Sequence, residues 1–219
     1  MGIKESGSLA KGTAVSLASD VDYLISLKSG CDERNGGLEY TYNGLYQHLA
    51  QKYTSARKQN VSVGITLDGL KIDITPARKM PGNTNDHALF VSKAGTWTKT
   101  NIDRHIADVS GSGRCEEIRL LKIWRAINGL KIPSIYLEYL TIGTILNGKK
   151  KAPDALADNF WHALGELSKD AGNPINARIV DPANSNNILS ELANKSEKAA
   201  IVAAAKASRG KGNWQDIVA

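Results

Sequence analysis

The sequence contains little cysteine and has no hydrophobic run of the roughly 18 residues that a membrane-spanning helix needs. Its two cysteines, Cys31 and Cys115, match no disulfide or metal-binding spacing. Such sparse cysteine usage is typical of proteins from a reducing compartment. No signal peptide is recognisable at the start. We therefore expect a cytoplasmic protein with no membrane partner.

The sequence also lacks a long basic tract, and none of its histidines pairs with a cysteine at zinc-ligand spacing. The net charge is +6, from 28 basic and 22 acidic residues spread over both halves. This balance suits an anionic ligand, but it equally suits a surface that only keeps the protein in solution. It indicates no dedicated nucleic-acid arm, so a nucleic-acid partner is permitted but not required.

The apolar pattern changes its period near the middle of the 219 residues. Alternating residues in the first half predict strands at 21–28, 61–67, 70–75 and 88–91, and helical spacing predicts one helix at 38–57. The second half has helical spacing at 116–128, 134–146, 156–172 and 186–208. Strands followed by helices indicate an α+β fold, with one lobe over 1–112 and a helical lobe over 113–219.

Asp68-Gly69 is the strongest turn signal in the sequence, because this dipeptide joins two alternating runs. It predicts a hairpin whose second strand turns Leu70, Ile72 and Ile74 toward the core. Asp73 would then project from the opposite face.

The stretch Gly7-Ser8-Leu9-Ala10-Lys11-Gly12-Thr13 is rich in small residues and predicts a loop. Gly7 and Gly12 permit backbone conformations that other residues disfavour, so that N–H groups can approach an anion. Ser8 could donate its hydroxyl to a phosphate. An ordinary tight turn has the same composition, and the Gly-Lys-Ser/Thr ending of a P-loop is missing. The loop alone does not choose between these interpretations.

Asp20 and Asp22 follow this loop and project from one face if the strand has begun there. Asp73 would add a third carboxylate if its strand pairs beside them. Three converging carboxylates repel one another unless cations neutralise them, and two Mg²⁺ about 4 Å apart do so in phosphoryl transfer. One ion would hold a nucleoside triphosphate. The other would activate the attacking hydroxyl, whose proton Asp73 could accept.

Together and in this order, these motifs resemble the polymerase β-type nucleotidyltransferase superfamily. Within it they resemble the branch of the oligoadenylate synthases, cyclic GMP-AMP synthase and the bacterial CD-NTases. The matching segments are Gly7-Ser8, Gly12-Thr13, Ser19-Asp20-Val21-Asp22, Lys71-Ile72-Asp73-Ile74-Thr75-Pro76-Ala77-Arg78, and the runs at 117–124, 132–138 and 179–184. The resemblance therefore covers nearly the whole chain.

The resemblance implies an enzyme that uses Mg²⁺ or Mn²⁺, with its active site in a cleft between two lobes. It would join ribonucleotides from NTPs such as ATP or GTP and release pyrophosphate. The implied product is a cyclic or linear oligonucleotide messenger, in bacteria an antiviral signal. The implied site residues are the metal ligands Asp20, Asp22 and Asp73, the triphosphate loop Gly7 and Ser8, and the donor-phosphate contacts Lys122 and Ser134.

Helical spacing places Lys122 in a basic stripe with Arg119 and Arg125, opposite an apolar face that includes Leu120 and Ile123. This agrees with the implied phosphate role, although a solvated helix face has the same pattern. Ser134 follows Pro133 and is also typical of a helix N-cap.

Other activities of the superfamily stay open. The protein could add nucleotides to an RNA 3′ end, or adenylylate a small molecule or a protein. A different class is a catalytically silent nucleotide- or RNA-binding protein of this fold. The intact Asp triad argues against silence, and the weak basic surface argues against a long RNA substrate.

Members of this branch usually carry a long helical segment ahead of the glycine-serine loop. Here Met1 lies six residues ahead of Gly7. We therefore expect one of two situations. Either the sequence is truncated or its start is misassigned, or a minimal member covers that surface differently, for example by forming an oligomer.

Overall fold

The structure is a computed structural model that describes residues 1–17, 20–30, 37–82 and 84–218. Contacts divide the chain into two units, Met1–Lys11 with Ser19–Ile106 and Gly12–Ala18 with Ala107–Ala219. The first unit contains one large sheet and the second is mainly helical, which confirms the predicted α+β class. Cys31 and Ser19 lie outside the described residues.

Seven strands form the sheet of the first unit. They are β1 Gly2–Ser6, β2 Val21–Leu27, β3 Arg57–Lys58, β4 Val63–Leu67, β5 Leu70–Lys79, β6 His87–Val91 and β7 Thr96–Thr100. The order is β1-β2-β5-β4-β3, and β6 joins the second half of β5 and pairs with β7. The sheet is mixed, because β2 runs parallel to β5 while its other pairs are antiparallel.

The predicted hairpin at Asp68-Gly69 is confirmed. These residues have φ of 50° and 79°, as a two-residue turn of this type requires. Ile72 and Ile74 pack against the core, but Leu70 at the hairpin tip is exposed, contrary to the prediction. Strand β5 is also longer than predicted. Pro76 interrupts it little, because it lies between the end of the β4 pairing and the start of the β6 pairing.

Helices α1 Gly7–Ala10, α2 Gly37–Ala50 and α3 Ile102–Ser110 complete this part of the chain. Helix α2 buries Tyr42 and Leu49 against β4 and Phe90. It ends earlier than the predicted helix over 38–57, because Arg57 and Lys58 pair with β4 as an edge strand. Strand β7 and helix α3 were not predicted. TWTKT is mostly polar, whereas Ile102, Ile106 and Val109 recur at helical spacing in α3, a pattern that the sequence analysis missed.

The second unit packs its helices around one core. The helices are α4 Cys115–Ile127, α5 Ser134–Leu140 with a π-helical continuation Thr141–Ile145, α6 Leu156–Leu167, α7 Lys195–Arg209 and α8 Gln215–Val218. Their buried side chains include Leu121, Trp124, Tyr136, Leu140, Phe160, Leu164 and Ile201. The first three helices begin where the apolar spacing predicts them, but α6 ends at Leu167 and not at Gly172.

The predicted helix over 186–208 is wrong in its first part. Strand β9 Asn184–Ile188 pairs there with β8 Val180–Asp181. Helix α7 begins only at Lys195, where Asn194 and Glu197 form a reciprocal capping box. In the part of the chain that the structure describes, no helix is both long and apolar enough to cross a bilayer.

Candidate active site

Strand register in the first unit brings two of the predicted carboxylates together. Asp22 of β2 is the direct partner of Asp73 in the parallel β2–β5 pair. On its other side Asp22 pairs with Ser6 of β1. Directly paired residues project from the same face of a sheet, so Asp22 and Asp73 present their carboxylates side by side.

Asp20 lies one residue before β2 and is half-buried. Its charge acts on Asp73, whose pKa is raised first by burial and second by repulsion from Asp20. Arg57 and Gln59 oppose this effect and lower the Asp73 pKa. Asp20 and Asp73 are thus close enough for their charges to interact.

Oxygen donors of this kind are the ligands that Mg²⁺ prefers, and the repulsion between Asp20 and Asp73 is one that a bound cation would relieve. The donor chemistry therefore fits a divalent cation held by Asp20, Asp22 and Asp73. Within the described ranges, however, no three acidic, histidine or cysteine side chains are already gathered closely enough to form a metal site.

Gly7 lies directly against Asp22. Its φ is +64°, and a Cβ built there would come within 1.8 Å of Asp22 Oδ2. Backbone conformation and space both require glycine here. Residues Gly7–Ala10 form one helical turn, closed by the Lys11 N–H on the Gly7 carbonyl at 3.3 Å, where the sequence predicted a loop. Ser8 lies within this turn and is half-buried.

Two contacts of Asp73 were missed by the sequence analysis. Gln59 Nε2 donates to Asp73 Oδ1 at 2.7 Å, and Arg57 Nη2 lies 3.6 Å from the same oxygen. Neither residue belongs to a recognisable motif. Their proximity to Asp73 comes from the pairing of β3, β4 and β5, which local spacing does not reveal.

In the second unit, Lys122 forms a buried ion pair. Its Nζ donates to Glu138 Oε1 at 2.7 Å and to Thr13 Oγ1 at 2.8 Å. The Lys122 and Glu138 side chains are each only 1% exposed. The predicted basic stripe is therefore wrong in its orientation, because α4 buries Leu121 and Lys122 together. Contact between Lys122 and a phosphate stays a prediction.

Ser134 begins α5 and makes no capping hydrogen bond, so the N-cap interpretation is wrong. Its hydroxyl instead accepts from Arg125 Nη1 at 3.0 Å, and the same nitrogen donates to the Ile132 carbonyl at 2.8 Å. Burial lowers the pKa of Arg125, and Glu138 opposes this effect. The structure thus joins Ser134 to Arg125 and not to Lys122.

The sequence is 25% identical over 232 residues to cyclic AMP-AMP-AMP synthase of Escherichia coli (strain MS 115-1), covering 91% of this chain and 72% of that protein. The structure of E. coli MS115-1 CdnC with ATP matches with a TM-score of 0.70 at 21% identity, covering 95% of this chain and 76% of that one. The CD-NTase CdnG of Bradyrhizobium diazoefficiens in complex with GTP matches with a TM-score of 0.68 at 13% identity, covering 94% and 76%. This chain has the CD-NTase fold. No family model matches the sequence.

The CD-NTase fold confirms the resemblance predicted from the motifs. Within this fold, the glycine-serine motif lies in α1, Asp22 lies near the start of β2, and Asp73 lies on the neighbouring strand β5. The order of motifs along the chain thus corresponds to adjacent elements of one sheet.

Proposed function

We propose that this CD-NTase-fold protein is a Mg²⁺- or Mn²⁺-dependent nucleotidyltransferase that makes a cyclic or linear oligonucleotide messenger from NTPs. The supporting observation is the side-by-side pairing of Asp22 and Asp73 beneath Gly7, with Asp20 near enough to raise the Asp73 pKa. The relative named cyclic AMP-AMP-AMP synthase favours a messenger over the other activities of the superfamily. In a bacterium, such a product would serve antiviral signalling.

The proposed reaction joins two nucleotides. A ribose hydroxyl of one bonds to the α-phosphorus of the other, the bond between that phosphorus and the pyrophosphate oxygen breaks, and Asp73 takes the hydroxyl proton. Asp20 and Asp22 complete the set of carboxylates that holds the cations. Bound Mg²⁺ would supply charge neutralisation and a lowered hydroxyl pKa.

Gly7 and Ser8 are the proposed contacts for the triphosphate. The missing side chain at Gly7 lets the Asp22 carboxylate lie directly against the Gly7 backbone, since a Cβ would overlap it. Ser8 follows directly and can donate its hydroxyl to a phosphate oxygen. A larger residue at position 7 would displace the Asp22 carboxylate from the proposed metal site.

Ser134 and Lys122 are the proposed contacts for the donor's phosphates, and Arg125 joins them. Arg125 already donates to Ser134, so a cation and a hydroxyl lie together on the helical unit. Lys122 can serve a phosphate only by giving up part of its contact with Glu138. Ser134→Ala should therefore raise the KM for NTP more than it lowers kcat.

The decisive experiment incubates the protein with the four NTPs and Mg²⁺ or Mn²⁺ and identifies small products by mass spectrometry. We expect cyclic or linear oligonucleotides, and a loss of turnover in Asp73→Asn by about 10²–10⁴-fold, the usual contribution of a general base. Nucleotide addition to an RNA or a protein, with no small product, would contradict the messenger proposal. Full turnover in Asp73→Asn would remove Asp73 from the mechanism.

A further inference from the structure

The row of residues that contains the two paired carboxylates continues across the sheet. Ser6 pairs with Asp22, Asp22 with Asp73, Asp73 with Gly64, and Gly64 with Arg57. This row crosses β1, β2, β5, β4 and β3 in spatial order. Gly64 has no side chain, and it lies between Asp73 and the cationic Arg57.

Gly64 is required for space and not for its backbone conformation. Its φ is not in the left-handed region. A Cβ at this position would lie 2.7 Å from Arg57 Cζ and 2.7 Å from Gln59 Nε2. Both side chains therefore cross the surface of Gly64 to reach Asp73 Oδ1. A glycine in the middle of a strand normally weakens the strand. The space that Gly64 leaves for Arg57 and Gln59 therefore lowers stability, which suggests that the two contacts to Asp73 serve a function.

Gln59 is held at both ends. Its carbonyl accepts from the Tyr42 hydroxyl at 2.6 Å and from Ser92 Oγ at 2.9 Å, and its N–H donates to the Ser62 carbonyl at 2.9 Å. Its side-chain Oε1 accepts from Ser62 Oγ at 3.3 Å. Because Ser62 engages the amide oxygen, the amide nitrogen faces Asp73. These bonds fix the orientation of the amide before any ligand arrives.

We propose that Gln59 is a positioning residue that fixes the orientation of the Asp73 carboxylate, with Arg57 as its charge partner and Gly64 as the opening that lets both reach. This inference rests on the proposed function. With Oδ1 held by Gln59, Asp73 is presented to a divalent cation in one orientation. Loss of such supporting contacts typically costs about 10–100-fold in metal affinity or activity.

The test measures Mn²⁺ binding to the full chain by the electron paramagnetic resonance signal of free Mn²⁺, without turnover. Gln59→Met keeps the volume and removes the amide donor. Gln47→Met makes the same change on the exposed side of α2 and is the control. We expect about 10–100-fold weaker Mn²⁺ binding in Gln59→Met, a matching rise in the Mn²⁺ concentration needed for half-maximal turnover, and no change in the control.

Gly64→Ala provides an independent variant, because the added Cβ displaces Gln59 without removing its donor. We expect the same metal defect, and little further loss when Gly64→Ala is combined with Gln59→Met. If the losses of Mn²⁺ affinity in Gly64→Ala and Gln59→Met add in the double variant, the two residues do not act through the same contact with Asp73. If Asp73→Asn leaves Mn²⁺ binding unchanged, the proposed function fails. If Asp73→Asn weakens Mn²⁺ binding while Gln59→Met and Gly64→Ala do not, this inference is overturned.

Discussion

At Gly7, one absent side chain determines where the Asp22 carboxylate can lie. Alanine at this position would put a Cβ within 1.8 Å of Asp22 Oδ2 and would also strain a backbone with φ of +64°. Gly12 is the matched control, because its φ is +71° but a Cβ there would meet no atom within 4 Å. We expect Gly12→Ala to lose about 1–2 kcal/mol of stability, the usual cost of a left-handed residue, and Gly7→Ala to lose at least as much.

Only Gly7→Ala should also lose nucleotidyl transfer, because only that variant displaces Asp22. Urea unfolding measures the stability of the two variants, and product formation from NTPs measures transfer. Equal losses of transfer in Gly7→Ala and Gly12→Ala would show that position 7 requires glycine for its backbone conformation and not for the space that the Asp22 carboxylate occupies.

At the residue scale, the sequence predicted the carboxylates of the candidate site. It did not predict the residues that hold those carboxylates in position. The two-residue spacing of Asp20 and Asp22 predicted a shared face, and the hairpin put Asp73 on a polar face. Gln59 gave no signal, because its relation to Asp73 depends on the pairing of the short strand β3 with β4, which was not predicted. Gly64 lies opposite Asp73 in the predicted hairpin, but the pattern does not show that two side chains cross it.

At the scale of elements, α4 and its N-cap residue Arg114 contain two Arg–Glu pairs, one buried and one exposed, with a separation of three residues in each. Arg114 and Glu117 are buried, and the Arg114 guanidinium also donates to the Leu146 and Lys150 carbonyls at 3.0 and 2.8 Å. Arg119 pairs with Glu116 near the surface, with side chains 38% and 63% exposed. One helix therefore offers a buried pair and its exposed control.

We expect Arg114→Met to destabilise the protein by about 3–5 kcal/mol, because Glu117 would be left as a buried charge without its partner. Arg119→Met should cost about 0–1 kcal/mol, as exposed pairs do. The free energy of unfolding in urea measures both. Similar costs for the two variants would mean that the loop over 146–150 does not depend on Arg114.

Apolar periodicity predicted the elements whose packing follows local spacing, such as α4 and α6. It failed where polar side chains are buried. Lys122 lies on the packed side of α4 because Glu138 and Thr13 satisfy its charge and hydrogen bonds, and helical spacing alone assigns a lysine to the solvated side. The late start of α7 was readable from Asn194 and Glu197, whose capping box outweighs the helical pattern before it.

For the whole molecule, the order of motifs along the chain was enough to predict the fold, because the resemblance that they carry extends over nearly the whole chain. Which residues of the helical unit meet a nucleotide was not predictable in the same way. The helical spacing of basic residues does not reveal which of them forms a buried ion pair within the protein, as Lys122 does with Glu138.

A bound nucleotide and its cations should stabilise the entire chain, since a ligand that binds only the folded state shifts the unfolding equilibrium. At an NTP concentration about 100 times its Kd, the expected gain is about 2.7 kcal/mol. For a protein of this length each kcal/mol corresponds to roughly 2–4 °C in Tm. We expect this rise with at least one of the four NTPs in Mg²⁺ or Mn²⁺, and its loss when EDTA removes the metal.

The control for this prediction is Asp22→Asn, which removes one proposed ligand charge and leaves the strand pairing of β2 intact. Its Tm without ligand should stay close to that of the wild type, and its response to NTP with Mg²⁺ should be much smaller. An NTP effect of equal size in EDTA would show that nucleotide binding does not depend on the metal. If the rise of Tm with NTP and Mg²⁺ is unchanged in Asp22→Asn, the nucleotide binds without help from the Asp22 carboxylate. The nucleotide site would then lie away from the paired carboxylates Asp22 and Asp73.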